Sequence, residues 1–182
     1  VPPLFVITGG PGSGKSTLIA ALAETGLATM PEAGRAIIRD QQAIGGTALP
    51  WADRAAFAEL MLGWELRSHA EAQAQTAPVV FDRGVPDVIG YLTLCGLPVP
   101  PHMHRAAALY RYNPTVFLAP FWADIYATDT ERRQSHAEAE ATAAAMITAY
   151  EAAGYRVVPL PRAPVAHRVA FVRAEIDRIS GT

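Results

Sequence analysis

The stretch "GGPGSGKS", Gly9 to Ser16, sets bare backbone beside a single cation. It satisfies G-x-x-x-x-G-K-[ST], the Walker A pattern, and each residue type has a physical reason to be there. Backbone N–H groups can converge on phosphate oxygens only where side chains do not block the approach. Gly9, Gly10, Gly12 and Gly14, with Pro11 and Ser13 between them, meet that need. A helix starting directly afterwards points the positive end of its dipole at the anion. Lys15 is spaced to reach the β- and γ-phosphates, and the Ser16 hydroxyl, followed by Thr17, to coordinate Mg²⁺. The ligand this chemistry implies is a nucleoside triphosphate, ATP with Mg²⁺.

Three charged clusters follow at the ends of expected strands. In "FDRG", Asp82 and Arg83 close the third strand. A carboxylate there can hold Mg²⁺ through water, or orient and deprotonate an acceptor hydroxyl, or merely cap the next helix. In "PEAGR", Glu32 and Arg35 are substrate-binding candidates. Glu32 can receive substrate hydroxyls or join the outer shell of the metal, and Arg35 is spaced to pair with it. In "TDTERRQS", Arg132 and Arg133 lie in a polar segment suited to a lid, from about residue 120 to 136. Arginines on such a lid would neutralise charge on a transferring phosphoryl group.

The elements that must position these residues alternate. Runs of buried-strand type occur at Leu4–Thr8, Leu27–Glu32, Pro78–Arg83, Thr115–Ala119 and Arg156–Leu160. Helical patterns separate them: from Gly14 to Gly26, from Ala33 to Gly45, from Pro50 through Phe57, Leu60, Met61 and Trp64, and from Pro86 to Gly96. Two more follow, a helix at "HMHRAAALYRY" and one from Ser135, which has capping-box spacing to Glu138, to Gly154. A last helix occupies the C-terminal segment. This alternation predicts an α/β protein, a parallel sheet with helices on both faces and all strand-to-helix loops on one edge.

The 182 residues are of ordinary size for one domain, and no repeat or linker divides residues 1–182. Apolar residues make up 51%, charged residues 18%, and the formal net charge is −2. These values argue against disorder and against a nucleic-acid or membrane-surface binder. Cys95 is the only cysteine, expected as a buried, inert thiol, so no internal disulfide forms. The start of the chain does not read as a signal peptide, and a cytoplasmic location is expected. His102 and His104 lack an evident third metal ligand. Trp51, Trp64 and Phe57 are expected in the core or lining a pocket, Asp124 as a ligand or cap, and Arg162 beside a base or in a turn.

In order and spacing, "GGPGSGKST", "PEAGR", "FDRGVPD", "TERRQ" and "AYEAAGYRVVPLP" resemble the P-loop nucleoside and nucleotide kinases. More closely, they resemble the small AAA-like ATPase domains similar to ribosylnicotinamide kinase. The resemblance covers nearly the whole chain. It implies a three-layer P-loop NTPase fold with a five-stranded parallel sheet in order 2-3-1-4-5. It further implies an acceptor site between Glu32, Asp82 and the long third helix, closed by Arg132 and Arg133. Deoxynucleoside kinases similarly set an acidic residue before arginine where Asp82 and Arg83 stand, although theirs is usually Glu. The D-G-x-P-R string of adenylate-type kinases is absent, which weighs against a nucleoside monophosphate acceptor.

Two functions fit these features. One is a kinase that moves the γ-phosphoryl of ATP-Mg²⁺ to a small hydroxyl acceptor of nucleoside or nucleotide type. The other is an AAA-like ATPase or GTP-binding regulatory NTPase without such an acceptor. Asp82 is followed by Arg83 rather than a second acid, and no N-K-x-D string is present. "DVIG", Asp87 to Gly90, has the spacing of a switch motif but falls inside an expected helix. These features favour the kinase.

Overall fold

The computed structural model describes residues 2–122 and 136–181. Its strands are β1 (Leu4–Thr8), β2 (Ala28–Met30), β3 (Val79–Asp82), β4 (Thr115–Leu118) and β5 (Arg156–Pro159). They form one sheet in order β2-β3-β1-β4-β5, every pair parallel. The expected topology is therefore observed; β1 coincides with its apolar run, and the other strands are one to three residues shorter than theirs.

Side-chain alternation divides β1 between two cores. Leu4 and Val6 join Val79, Phe81 and Val116 on one face. Helices α3 (Arg54–Gln73), α4 (Val85–Leu94), α5 (Pro101–Leu109) and α6 (His136–Ala152) cover that face. Phe5 and Ile7 join Val80 and Phe117 on the other, beneath α1 (Lys15–Glu24) and α7 (Val165–Ser180). Each fully buried aliphatic side chain in these layers contributes about 1.5–3 kcal/mol. The remaining described helix, α2 (Gly34–Ile44), packs Ile37 against Phe57 of α3.

The helices that flank the site have identifiable determinants. α3 starts at Arg54, not at Pro50, because the Asp53 carboxylate accepts a hydrogen bond from Ala56 N at 3.0 Å. Such a cap contributes about 1 kcal/mol, and Pro50 lies in the preceding turn. Leu60 is 40% exposed and drops out of the buried stripe that Phe57 and Met61 begin. Trp51, expected in the core or a pocket wall, lies in the turn before Asp53, is 63% exposed, and lines a separate pocket of about 420 Å³ with Pro50 and Leu97. α4 and α6 approach closely at Gly90, where a Cβ would lie 2.7 Å from the Met146 sulfur. "DVIG" is thus helical, as expected, and its glycine serves helix packing. Among the described residues, no helix is long and apolar enough to cross a membrane.

Candidate functional site

The chain reverses the order of its strands about β1, so the loops after β1 and β3 open at the same sheet edge. Ile7 pairs with Asp82, and Arg83 N donates to Ile7 O at 3.0 Å. That register sets the phosphate loop beside the end of β3. Gly14 adopts φ 71°, the left-handed conformation that turns the loop into α1. Its carbonyl accepts from Leu18 N at 3.1 Å and from Arg168 Nη1 at 3.2 Å.

Arg168 was not anticipated from the sequence. It is buried, donates from Nε to Ala163 O at 3.0 Å, and braces the loop from α7. Burial lowers its pKa from the ordinary arginine value. Arg168→Ala removes charge-assisted hydrogen bonds worth about 1.5–3 kcal/mol. The expected result is an earlier urea midpoint and a weakened ATP-induced thermal shift, both measurable on the same protein.

A cavity of about 600 Å³ runs from this loop into the space between α2, α3 and α4. Gly10, Pro11, Ser13, Lys15, Ser16, Glu32, Arg35 and Arg83 all line it, so most of the candidate residues converge on one space. Thr17 is exposed and does not line it. Phe57, Met61, Val88 and Tyr91 form apolar walls, and the rings of Phe57 and Tyr91 meet edge-on at 5.6 Å. The Trp64 indole donates to Pro31 O at 3.3 Å, tying α3 to the connection that carries Glu32. Glu32 itself accepts from Gly34 N at 3.0 Å. Among the ion pairs of the described residues, none joins Glu32 to Arg35.

Lys15 is 7% exposed and its ammonium is ion-paired to Asp82 Oδ1. Burial, and next the Arg83 charge, lower the Lys15 pKa from the usual lysine value, while Asp82 counters both. Asp82 does not cap the following helix. That end is organised by Asp87, whose Oδ2 accepts from Gly84 N at 2.9 Å. Asp87 Oδ1 also accepts from Thr8 Oγ1 at 2.5 Å, and Oδ2 from Tyr150 OH at 2.5 Å. Burial and Asp87 raise the Tyr150 pKa well above the ordinary tyrosine range, so the phenol remains a donor. Arg83 Nη1 lies 3.4 Å from Asp87 Oδ1.

Arg83 is the one non-glycine residue with positive φ among the described residues, at 73°. That conformation costs about 1–2 kcal/mol, and strain of this kind concentrates at functional sites. Burial opposes the Arg83 charge, but Asp87, Glu32 and Asp82 outweigh it and raise its pKa from the usual value.

Asp87 and Glu65 are site residues that the sequence reading missed. Glu65 stands four residues beyond Met61 and eight beyond Phe57, a charged residue on an inward stripe, and that spacing was a usable signal. Cys95 is half-buried and lines the cavity beside Tyr91, rather than being sealed in the core. His102 pairs with Glu59 at 2.8 Å on the surface, and Arg162 is exposed. Arg132, Arg133, Asp124 and Ser135 lie outside the described residues, as does most of the expected lid.

A protein-family model described as an AAA domain matches residues 4–168. No curated protein matches significantly. Among solved structures, NadR in complex with NR superposes with a TM-score of 0.76 at 14% identity, covering 100% of this chain and 52% of that one. Deoxyadenosine kinase from M. mycoides gives 0.63 at 12% identity, covering 96% and 99%. Thymidylate kinase from Candida albicans gives 0.65 at 12% identity, covering 98% and 92%. The chain spans about half the length of the NadR chain. With the phosphate loop, the sheet order and the family match in agreement, the chain belongs to the AAA-domain family of P-loop proteins.

Proposed function

We propose that the chain transfers the γ-phosphoryl group of ATP, as its Mg²⁺ complex, to a hydroxyl of a nucleoside or nucleotide-like acceptor. The observation that carries this reading is the continuity of the phosphate loop with a walled cavity. A volume of about 600 Å³ is in the range of small-molecule sites. Hydrolysis alone would not require such a chamber. The likeness to nucleoside and nucleotide kinases supports the same reading through the fold.

Lys15 and the loop amides hold the donor phosphates. Those oxygens compete with Asp82 for the Lys15 ammonium, and the carboxylate so released turns to the acceptor. Asp82 takes the proton of the acceptor hydroxyl as its oxygen bonds to the γ-phosphorus and the bond to the ADP oxygen breaks. Glu32, Arg35 and Arg83 line the acceptor side and orient the substrate. Arg132 and Arg133, on the lid, neutralise charge on the moving phosphoryl group. A closed lid keeps water from competing as acceptor.

The residues present fit Mg²⁺. Ser16 is exposed to the cavity, and Asp82 Oδ2 makes no hydrogen bond among the described residues. No three His, Cys, Asp or Glu side chains cluster as a cage among those residues. Ser16 and Asp82 together are the donor set of an ion that draws its remaining ligands from phosphates and water. When bound, Mg²⁺ supplies charge neutralisation at the phosphate oxygens.

Thermal stabilisation across a library of nucleotides and nucleosides tests the proposal. Ligand at 100-fold its dissociation constant adds about 2.7 kcal/mol. ATP and a nucleoside are expected to stabilise additively, since they occupy adjoining spaces. Stabilisation by nucleotides alone, with hydrolysis indifferent to every nucleoside, would favour the acceptor-free ATPase.

A further inference from the structure

The cavity wall carries two hydrogen-bonding groups that the fold leaves under-satisfied. Glu65 is 4% exposed, lines the cavity from α3, and makes no hydrogen bond among the described residues. The Tyr91 hydroxyl, from α4, is buried with no oxygen or nitrogen partner, and only the weakly bonding Cys95 thiol beside it. Buried polar groups are almost always satisfied, so an acid with no partner, beside a phenol with only a thiol, on the wall of one cavity calls for a ligand that completes them.

Burial biases both groups toward the form that carries a proton. Burial comes first in raising the Glu65 pKa well above the carboxylate range, followed by the like charges of Asp87 and Asp82, with Glu32 adding and Arg83 opposing. Tyr112 and Tyr150 also face it, and both remain neutral phenols. Burial and the Cys95 thiol raise the Tyr91 pKa from the ordinary tyrosine value. An acid of this kind presents an O–H and a C=O side by side. Its complement is a group with an N–H beside a C=O, held in one plane. The Phe57–Tyr91 pair provides aromatic walls suited to a flat ring carrying that group.

We propose that Glu65 and Tyr91 are the specificity-determining residues of the acceptor site, and that they select a ring with an amide-type edge, a lactam or carboxamide. This inference rests on the kinase reading and narrows its substrate class. Glu65 pairs with the edge through two hydrogen bonds, and the Tyr91 hydroxyl supplies a third contact. Neither residue touches the transferring phosphoryl group, so their loss raises the acceptor KM and leaves the KM for ATP in place.

The burial of an unpartnered acid also costs stability in the free protein. Retaining it is understandable only if a ligand uses it, which separates this role from a structural one.

The test uses the full chain with Glu65→Leu, Glu65→Gln and Tyr91→Phe, assayed with uridine and inosine as lactam acceptors and a ribosyl-pyridinium cation as the charged one. For the wild type, the lactam nucleosides are expected to be phosphorylated in preference to the cation. Glu65→Leu is expected to raise the nucleoside KM by about 10- to 100-fold and to raise the melting temperature of the free protein by about 2–6 °C. Glu65→Gln, which restores a donor beside an acceptor, is expected to recover the KM to within about threefold of wild type. Tyr91→Phe is expected to raise the KM by roughly threefold to tenfold.

If Glu65→Gln loses as much as Glu65→Leu and the cation is the preferred acceptor, Glu65 works as an anion and the proposal is overturned. A wild-type KM in Glu65→Leu, or a melting temperature that falls in both Glu65 variants, also overturns it. Failure of the wild type to phosphorylate any of the three probes while ATP still stabilises the protein defeats the kinase reading itself.

Discussion

Lys15→Ala is expected to slow phosphoryl transfer by about 10²- to 10³-fold and to weaken the thermal shift produced by ATP. The ammonium is the charge nearest the β- and γ-phosphates in the proposed complex, and no other side chain on the loop carries one. The same substitution acts on the free protein. Lys15 and Asp82 are a buried ion pair, and removing Lys15 leaves the Asp82 charge with only the more distant Arg83 to offset it. Breaking such a pair costs about 3–5 kcal/mol. Lys15→Ala/Asp82→Ala is expected to regain part of that stability, because both charges are gone, while transfer remains lost. Urea unfolding and single-turnover kinetics on the three variants separate the two effects. Undiminished ATP stabilisation in Lys15→Ala would mean that the loop does not grip phosphates through this residue.

Asp87→Ala is expected to be the most destabilising single substitution around the site. Its carboxylate accepts from Thr8, Gly84 and Tyr150 and stands beside Arg83. These groups belong to β1, the turn after β3, α6 and the strained Arg83 backbone, so one side chain joins both sides of the sheet edge. Loss of a buried, charge-paired group of this kind costs about 3–5 kcal/mol. In a chain of this length that corresponds to a fall in melting temperature of roughly 6–20 °C. Asp87→Asn keeps a single acceptor oxygen, which can serve Gly84 and Tyr150 or Thr8 but not all three, and is expected to lose about half as much. Thr8→Val and Tyr150→Phe, each combined with Asp87→Ala, should show strong non-additivity. A loss below about 1 kcal/mol for Asp87→Ala would show that the turn holds Arg83 in place without it.

Both predictions concern residues that the sequence reveals unequally. The phosphate loop was legible because backbone access to an anion demands glycine at fixed spacing, and few other functions do. Asp82, Arg83 and Glu32 were legible because parallel strands with right-handed crossovers bring their ends to one edge; Arg83 and Glu32 line the cavity there, while Asp82 stands behind them at the end of β3, paired to Lys15. The sheet order was not readable from alternation alone and came from the resemblance. Asp87 was hidden because its carboxylate works across the fold, on Thr8 and Tyr150, at separations of 79 and 63 residues. Arg168 was hidden for the same reason, reaching Gly14 from 154 residues away. Trp51 lines a pocket but outside the helix, because helical periodicity carries no information about where the helix begins. That start was set by the Asp53 cap rather than by the proline before it.

Glu65 shows how a local pattern can point to a site even when its partners are unknown. A carboxylate at the third position of a Phe57–Met61 stripe conflicts with burial, and such conflicts between local and global preference mark functional positions. The strained Arg83 backbone is the same kind of signal, visible only once dihedral angles are known.

The partition of label from γ-labelled ATP in a single turnover, with a nucleoside present, tests most directly whether the phosphate loop delivers its phosphoryl group to a neighbour in the cavity. The account predicts label in an organic phosphate ester, with little in inorganic phosphate, and a shift toward inorganic phosphate when the nucleoside is omitted. Label that appears only in inorganic phosphate, at the same rate with and without the nucleoside, would contradict it.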